Sequence, residues 1–171
     1  PISLSQHHDS IYTLPMQFVN YLISSPMVCV ISPSYFLAED VRGQFNINSV
    51  VCYQPTLVKH TYNLKVKELP ARIKFVYIGS LYEKKKIYEL IASFQKINNS
   101  SDLNFSLNIF GDGNKEYIDS LVNFTKTKCM DFIKFDIGYV DNTPSLLSEF
   151  DVLITGSLNE GFGRIVVEAI K

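Results

Sequence analysis

The sequence predicts an α/β architecture built on a doubly wound parallel sheet, and three observations predict it. Six short β-branched and aromatic runs, at 27–32, 49–53, 72–78, 105–110, 132–137 and 151–155, alternate with helical patterns. These runs are mostly apolar on both faces, which indicates a parallel sheet covered by helices on either side. Of the eight glycines, seven fall from Gly79 onward, and those after the last four runs lie just past their carboxyl ends. In an open parallel sheet that edge forms the ligand crevice.

Taken in order, the first elements are weaker helical patterns at 12–24 and 34–43, interleaved with the strands 27–32 and 49–53. The polar, irregular stretch from His60 to Pro70 follows, where the proline-rich part of the chain gives way to the glycine-rich part. The strand 72–78 leads into the clearest helix, 85–97, where Ile87, Leu90, Ile91, Phe94 and Ile97 form one apolar stripe. Beyond strand 105–110, Ile118, Leu121 and Val122 mark a helix at 115–126. After strand 132–137, Thr143 serves as N-cap with Pro144 at the first helical position, and Leu146, Leu147 and Phe150 face inward. Strand 151–155 then runs through a glycine-rich turn into a last helix starting at Arg164.

Residues 1–58 hold only two strands, too few for a sheet of their own with helices on both faces. We therefore expect 1–58 to be the end of a preceding Rossmann-like domain, 59–70 a junction, and 71–171 an incomplete second domain. The run Ile165 to Lys171 reads as helix with no stop signal after it, so a truncated chain is expected.

Composition excludes several functions. The 171 residues are 46% apolar and 19% charged, with 16 basic and 17 acidic side chains and a net charge of −1. Such a balance gives no field to attract nucleic acid, which is not expected as a partner. The three cysteines, Cys29, Cys52 and Cys129, are too dispersed for a zinc site and odd in number for a disulfide framework. No metal and no cofactor is expected, and a reducing cytoplasm fits this cysteine usage. The adjacent His7 and His8 before Asp9 point to different sides of a helix or strand and make a poor metal site. No apolar stretch approaches the roughly 20 residues that span a bilayer.

Gly79, Gly111, Gly113, Gly138, Gly156, Gly161 and Gly163 all follow strands. Glycine in such turns serves the turn itself, or it lets backbone approach a ligand. Charge favours the second reading. Lys84, Lys85 and Lys86 stand at the expected start of helix 85–97, and Arg164 at the start of the last helix, where cations oppose the macrodipole. A bound anion, such as a phosphate, would offset that opposition. The most specific segment runs from Asp151 to Glu168, with Glu160 in the turn and Glu168 in the helix beyond it. A diphosphate could lie over the N–H groups of Gly161 to Gly163, with hydroxylated groups on either side accepted by the two carboxylates.

At this point the sequence resembles the retaining glycosyltransferases of family 4, over roughly residues 28–171. Their GT-B fold has two Rossmann-like domains facing a cleft. The segment Glu160-Gly161-Phe162-Gly163-Arg164-Ile165-Val166-Val167-Glu168-Ala169 is similar to the family's E-x7-E signature. Val76 to Leu81 with Lys85 downstream resembles its strand-G-R-L segment and diphosphate lysine, and Ile109 to Gly113 its G-x-G turn. Gly138-Tyr139-Val140 through Val152, and upstream Val51 to Pro55, are similar to the stretches around them.

The resemblance implies hexosyl transfer, with retention, from a nucleotide sugar to a saccharide or lipid-linked acceptor in glycan or polysaccharide biosynthesis. It implies Glu160 and Lys85 as catalytic groups. Donor binding would use Gly79, Ser80, Lys85, Gly111, Gly113, Glu160, Gly161, Phe162, Gly163, Arg164 and Glu168. Glu160 would serve the sugar hydroxyls and Glu168 the ribose, while Gly161 to Gly163 lie against sugar and diphosphate. No essential metal is implied. Ser80 stands where the family has arginine, Gln54 replaces asparagine and Gly156 replaces proline. The alternative is a nucleotide-diphosphate-binding module without transfer activity, and a flavodoxin-like domain has no local pattern in its favour. The expected location is cytoplasmic. The resemblance leaves open peripheral attachment to the inner membrane face through the absent part of the N-terminal domain, and a fragment with half a cleft is expected to be inactive.

Overall fold

A computed structural model describes residues 21–22, 25–55, 70–157 and 160–170. The chain divides into two compact units, Pro1–Gln54 and Pro55–Lys171. The expected junction 59–70, apart from Pro70, lies outside the described residues, as do His7, His8, Asp9 and most of the helical pattern at 12–24.

In the first unit, β1 (Ile31–Ser32) and β2 (Val50–Val51) pair in parallel, with Ile31 opposite Val50 and Ser32 opposite Val51. Both are shorter than the runs 27–32 and 49–53. Between them lies α1 (Tyr35–Phe45), capped by the Ser34 side chain, which accepts from the N–H of Leu37. Asn46 ends it in the left-handed conformation at φ 55°, a role that asparagine tolerates better than most side chains.

The second unit is a four-stranded parallel sheet. Its strands are β3 (Ile73–Ile78), β4 (Phe105–Gly111), β5 (Ile133–Ile137) and β6 (Val152–Leu153), in the order β5-β4-β3-β6. The connecting helices are α2 (Ile87–Ser100), α3 (Lys115–Thr127) and α4 (Thr143–Leu147), and α5 (Arg164–Ala169) follows β6. β6 is shorter than the run 151–155, yet the ladder continues through its flanks. Asp151 donates its N–H to the carbonyl of Lys74 at 2.9 Å and Ile154 to that of Val76 at 2.8 Å.

This strand order contains one reversal. From β3 the chain steps outward to β4 and β5, then crosses back to place β6 on the other side of β3. With the right-handed crossovers that parallel sheets obey, α2 and α3 cover one face and α4 the other. Packing agrees, since α2 contacts α3 and α4 contacts α5. The doubly wound reading of the sequence is therefore what the second unit has. Its switch point lies between β3 and β6.

The core sits between the sheet and the α2/α3 layer. Phe105, Leu107 and Ile109 alternate inward along β4, against Ile87, Leu90, Ile91 and Phe94 of α2 and Ile118 and Leu121 of α3. Each such side chain contributes about 1.5–3 kcal/mol on full burial. Rings reinforce the contact: Phe94 meets Phe75 at 5.0 Å and Phe105 at 5.5 Å, both edge to face. Ile97, expected in the α2 stripe, is 39% exposed instead.

Two helix starts differ from the sequence reading. α4 is capped by Asn142, whose side chain accepts from the N–H of Ser145, so Thr143 is already helical. Helix 85–97 begins at Ile87, and the preceding Glu83–Lys85 form a 3-10 turn. α3 starts as its sequence suggests, with the Asn114 side chain accepting from the N–H of Tyr117 at 2.8 Å. Asn114→Ala should therefore cost about 1 kcal/mol, lowering the thermal midpoint by about 2–4 °C. A melt unchanged from the parent would show that the cap contributes nothing.

Candidate functional site

The turns after β3 and β6 meet because those strands are neighbours. Phe75 pairs with Val152 and Val76 with Leu153, so the segments 79–86 and 154–157 leave the sheet side by side. Their contact is close enough to restrict side chains. A Cβ on Gly156 would lie 3.3 Å from the carbonyl oxygens of both Lys85 and Lys86.

Across this contact the Lys85 ammonium donates to Glu160 Oε2 at 2.7 Å. The two residues are 75 positions apart in sequence. The Lys85 side chain is 19% exposed and that of Glu160 43%. The other two lysines are directed elsewhere. Lys86 pairs with Glu89 at 3.0 Å, and the Glu89 carboxyl is held below its usual range by its own backbone N–H first and Lys86 second. The Lys84 ammonium lies 5.9 Å from the centre of the Tyr82 ring.

These positions correct the dipole argument made from the sequence. None of the three lysines lies within α2, and Lys86 is its N-cap at φ 55°. What distinguishes Lys85 is its approach to Glu160. Arg164 does open α5, where its guanidinium is 3.6 Å from Glu168 Oε1 one turn on. The Glu168 side chain is 16% exposed and that of Arg164 63%. Gly163 precedes this helix at φ 67°, and a Cβ there would lie 3.5 Å from Cγ of Glu160. Gly161 and Phe162 are half-buried beside it.

The neighbouring turns are fastened to each other by backbone. Gly79 donates to the carbonyl of Phe110 and Leu81 to that of Asp112, while Asn114 donates back to Leu81. A Cβ on Gly111 would fall 1.8 Å from the carbonyl oxygen of Gly79, and one on Gly113 2.2 Å from that of Leu81. Here glycine serves close backbone approach. Ser80, between the two anchored residues, is half-buried.

Sequence reasoning passed over Tyr77. Its ring is 2% exposed beneath the β3 turn and its hydroxyl donates to the carbonyl of Ser80 at 3.0 Å. Burial first, then the charge of Glu160 and then Tyr117, push this phenol well above its usual range, so it remains a donor. The available signal was a single phenol within the apolar end of the strand, Phe75 to Ile78, since a buried tyrosine hydroxyl needs a partner.

Among the described residues, no group of three or more His, Cys, Asp or Glu side chains is placed to hold a metal ion. No helix among them is long and apolar enough to cross a membrane. Cys29, Cys52 and Cys129 are free and exposed. A shallow concavity lined by Tyr35, Phe36, Glu39 and Asp40 belongs to the first unit and includes none of the residues above.

A parallel sheet with one reversal, with Lys85 and Glu160 paired beside that reversal, defines a doubly wound α/β domain. Residues 72–171 match the family model of the group 1 glycosyl transferases, and the chain belongs to that family. No curated protein matches it. Among solved structures it is similar to TarM, with 17% identity and a TM-score of 0.69, covering 96% of this chain and 32% of that one. A point mutant of S. aureus TarM in complex with Fondaparinux, alpha-GlcNAc-glycerol and UDP matches at 20% identity and a TM-score of 0.64, covering 83% of this chain and 28% of that chain. The pneumococcal O-GlcNAc transferase GtfA in complex with UDP and GlcNAc matches at 20% identity and 0.61, covering 82% and 28%. At these identities the likeness is one of fold. The chain spans about a third or less of the length of these structures.

Proposed function

We propose that residues 71–171 are the donor side of a retaining family 4 glycosyltransferase, which moves a hexosyl group from a nucleoside-diphosphate sugar to a saccharide or lipid-linked acceptor. The observation that carries this reading is the convergence of Lys85 and Glu160 over the switch point, at 2.7 Å. Family membership supports it, as does the occurrence of UDP in two of the similar structures.

In this reading Glu160 and Glu168 are the two carboxylates of an E-x7-E signature. The Lys85 ammonium faces the diphosphate, where negative charge grows as the bond to the sugar breaks. A preorganised cation at that place lowers the barrier without needing a strong base. Donor binding brings the phosphates to Lys85 and releases Glu160 to accept from sugar hydroxyls. Glu168 accepts from the ribose hydroxyls, Arg164 adds positive charge, and the backbone of Gly161 to Gly163 with Phe162 lies against sugar and diphosphate. Gly79, Ser80, Gly111 and Gly113 form the floor of the same site. No step requires a metal or a cofactor. The enzyme acts in glycan or polysaccharide biosynthesis in the cytoplasm, at the inner membrane face when its acceptor is lipid-linked.

The test is a panel of nucleotide sugars with the intact protein, reading transfer and the anomeric configuration of the product. Retention supports the proposal and inversion overturns it. Binding without any transfer across the panel would favour a non-catalytic module. Glu168→Ala should weaken nucleoside diphosphate binding about 10-fold by calorimetry, the equivalent of about 1.4 kcal/mol. Binding equal to the parent would remove the ribose role.

A further inference from the structure

We infer that Tyr77 is a positioning residue for the donor site, its hydroxyl fixing the Gly79–Ser80 turn that borders the Lys85–Glu160 pair. The inference rests on the donor-site reading above and adds a residue which that reading does not contain.

The peptide between Ser80 and Leu81 is held at both ends. Its carbonyl accepts from the Tyr77 hydroxyl at 3.0 Å, and its N–H donates to the carbonyl of Asp112 at 2.9 Å. Because a trans peptide is planar, holding both ends fixes the orientation of the whole unit. One residue earlier, the Gly79 N–H is held by the carbonyl of Phe110 at 3.1 Å. The backbone bonds come from β4 and its turn. The Tyr77 bond is the one supplied by a side chain, and it comes from beneath the turn.

Geometry also sets what can stand above the phenol. A Cβ on Gly79 would lie 3.0 Å from the Tyr77 oxygen and 3.4 Å from Cζ. The first distance would require the phenol to give by a few tenths of an ångström, whereas the second is ordinary van der Waals contact. Gly79 and the Tyr77 hydroxyl are thus matched. The charge of Glu160 reaches the same phenol, which places the hydroxyl within the electrostatic neighbourhood of the pair. A turn that samples other orientations binds a ligand more weakly, the apparent Kd rising in inverse proportion to the time it spends in the competent one.

The test uses the intact protein with UDP, GDP and ADP, taking the tightest as probe. Tyr77→Phe removes one oxygen and leaves the ring in the core. We expect the probe's Kd and the donor KM to rise about 5–20-fold, with kcat changed less than threefold. Gly79→Ala should weaken binding in the parent and do so less in the Tyr77→Phe background, because the clashing oxygen is then absent. That non-additivity is the signature of direct coupling. If Tyr77→Phe lowers thermal stability but leaves Kd and KM at parental values, the residue is merely structural and the inference is overturned. Additive effects of the two substitutions would overturn it as well. A parent that binds none of the three nucleotides would sink the donor-site reading along with it, whereas a parent that binds beside an unaffected Tyr77→Phe sinks the Tyr77 role alone.

Discussion

Lys85→Ala should lower kcat/KM for sugar transfer by about 10²–10³-fold in the intact protein while moving the thermal midpoint by no more than about 4 °C. The two effects differ because one ammonium does unequal work in the two states. At rest it holds Glu160 at 2.7 Å in a pair whose carboxylate side chain is 43% exposed, and ion pairs open to solvent contribute roughly 0–1 kcal/mol. In the proposed donor complex the same charge faces the departing diphosphate. Removing one preorganised group of that kind typically costs about 2.7–4 kcal/mol of barrier stabilisation.

Glu160→Gln separates these roles further. The amide no longer competes for the Lys85 charge, so free nucleoside diphosphate should bind at least as tightly as to the parent while transfer falls. Steady-state kinetics and calorimetry on both variants decide the matter. Lys85→Ala at parental rate would remove lysine from the chemistry. Loss of nucleotide affinity in Glu160→Gln would mean that Glu160 holds the nucleotide rather than the sugar.

The sequence made some of this architecture legible and left other parts out of reach, for physical reasons. The α2 stripe is readable because Ile87, Leu90, Ile91 and Phe94 repeat with the helical period, and all four are buried. Its start is not readable in the same way. Glu83, Lys84, Lys85 and Lys86 all favour helix, and nothing local announces the left-handed φ at Lys86. Strand positions followed from composition, whereas strand order is a property of the whole sheet, and the β3–β6 pairing joins segments more than seventy residues apart. The family resemblance picked out Lys85 and Glu160 separately, and their contact is a consequence of that pairing. Glycine shows the reverse case. Its place after each strand was evident, but Gly111 and Gly113 approach backbone carbonyls, Gly79 accommodates the Tyr77 phenol, and Gly138 has open space around its Cβ position. Only the fold separates these reasons.

Gly111→Ala should be the most damaging single substitution at this edge, costing about 3–5 kcal/mol of folding stability, a large part of the roughly 5–15 kcal/mol that holds a typical domain folded. Two costs add at this position. Its φ of +143° lies where side chains are strained, and a Cβ would sit 1.8 Å from the carbonyl oxygen of Gly79, far inside van der Waals contact. Relief by side-chain rotation is unavailable, because the obstacle is backbone. Gly79 in turn is tied to Phe110, and Gly111 to Gly138, so the turns after β3 and β4 would have to separate. Gly138→Ala isolates the first cost: its φ is nearly the same, +145°, and nothing lies within 4 Å of the added carbon. That variant should lose about 1–3 kcal/mol, the range for one residue held in a sparsely populated region. Urea unfolding of the two variants beside the parent measures the difference. Equal losses would mean that the two turns yield without cost and that glycine at 111 serves conformation alone. A larger loss at 111 means that the floor of the candidate site is set by the close approach of Gly111 to the backbone carbonyl of Gly79.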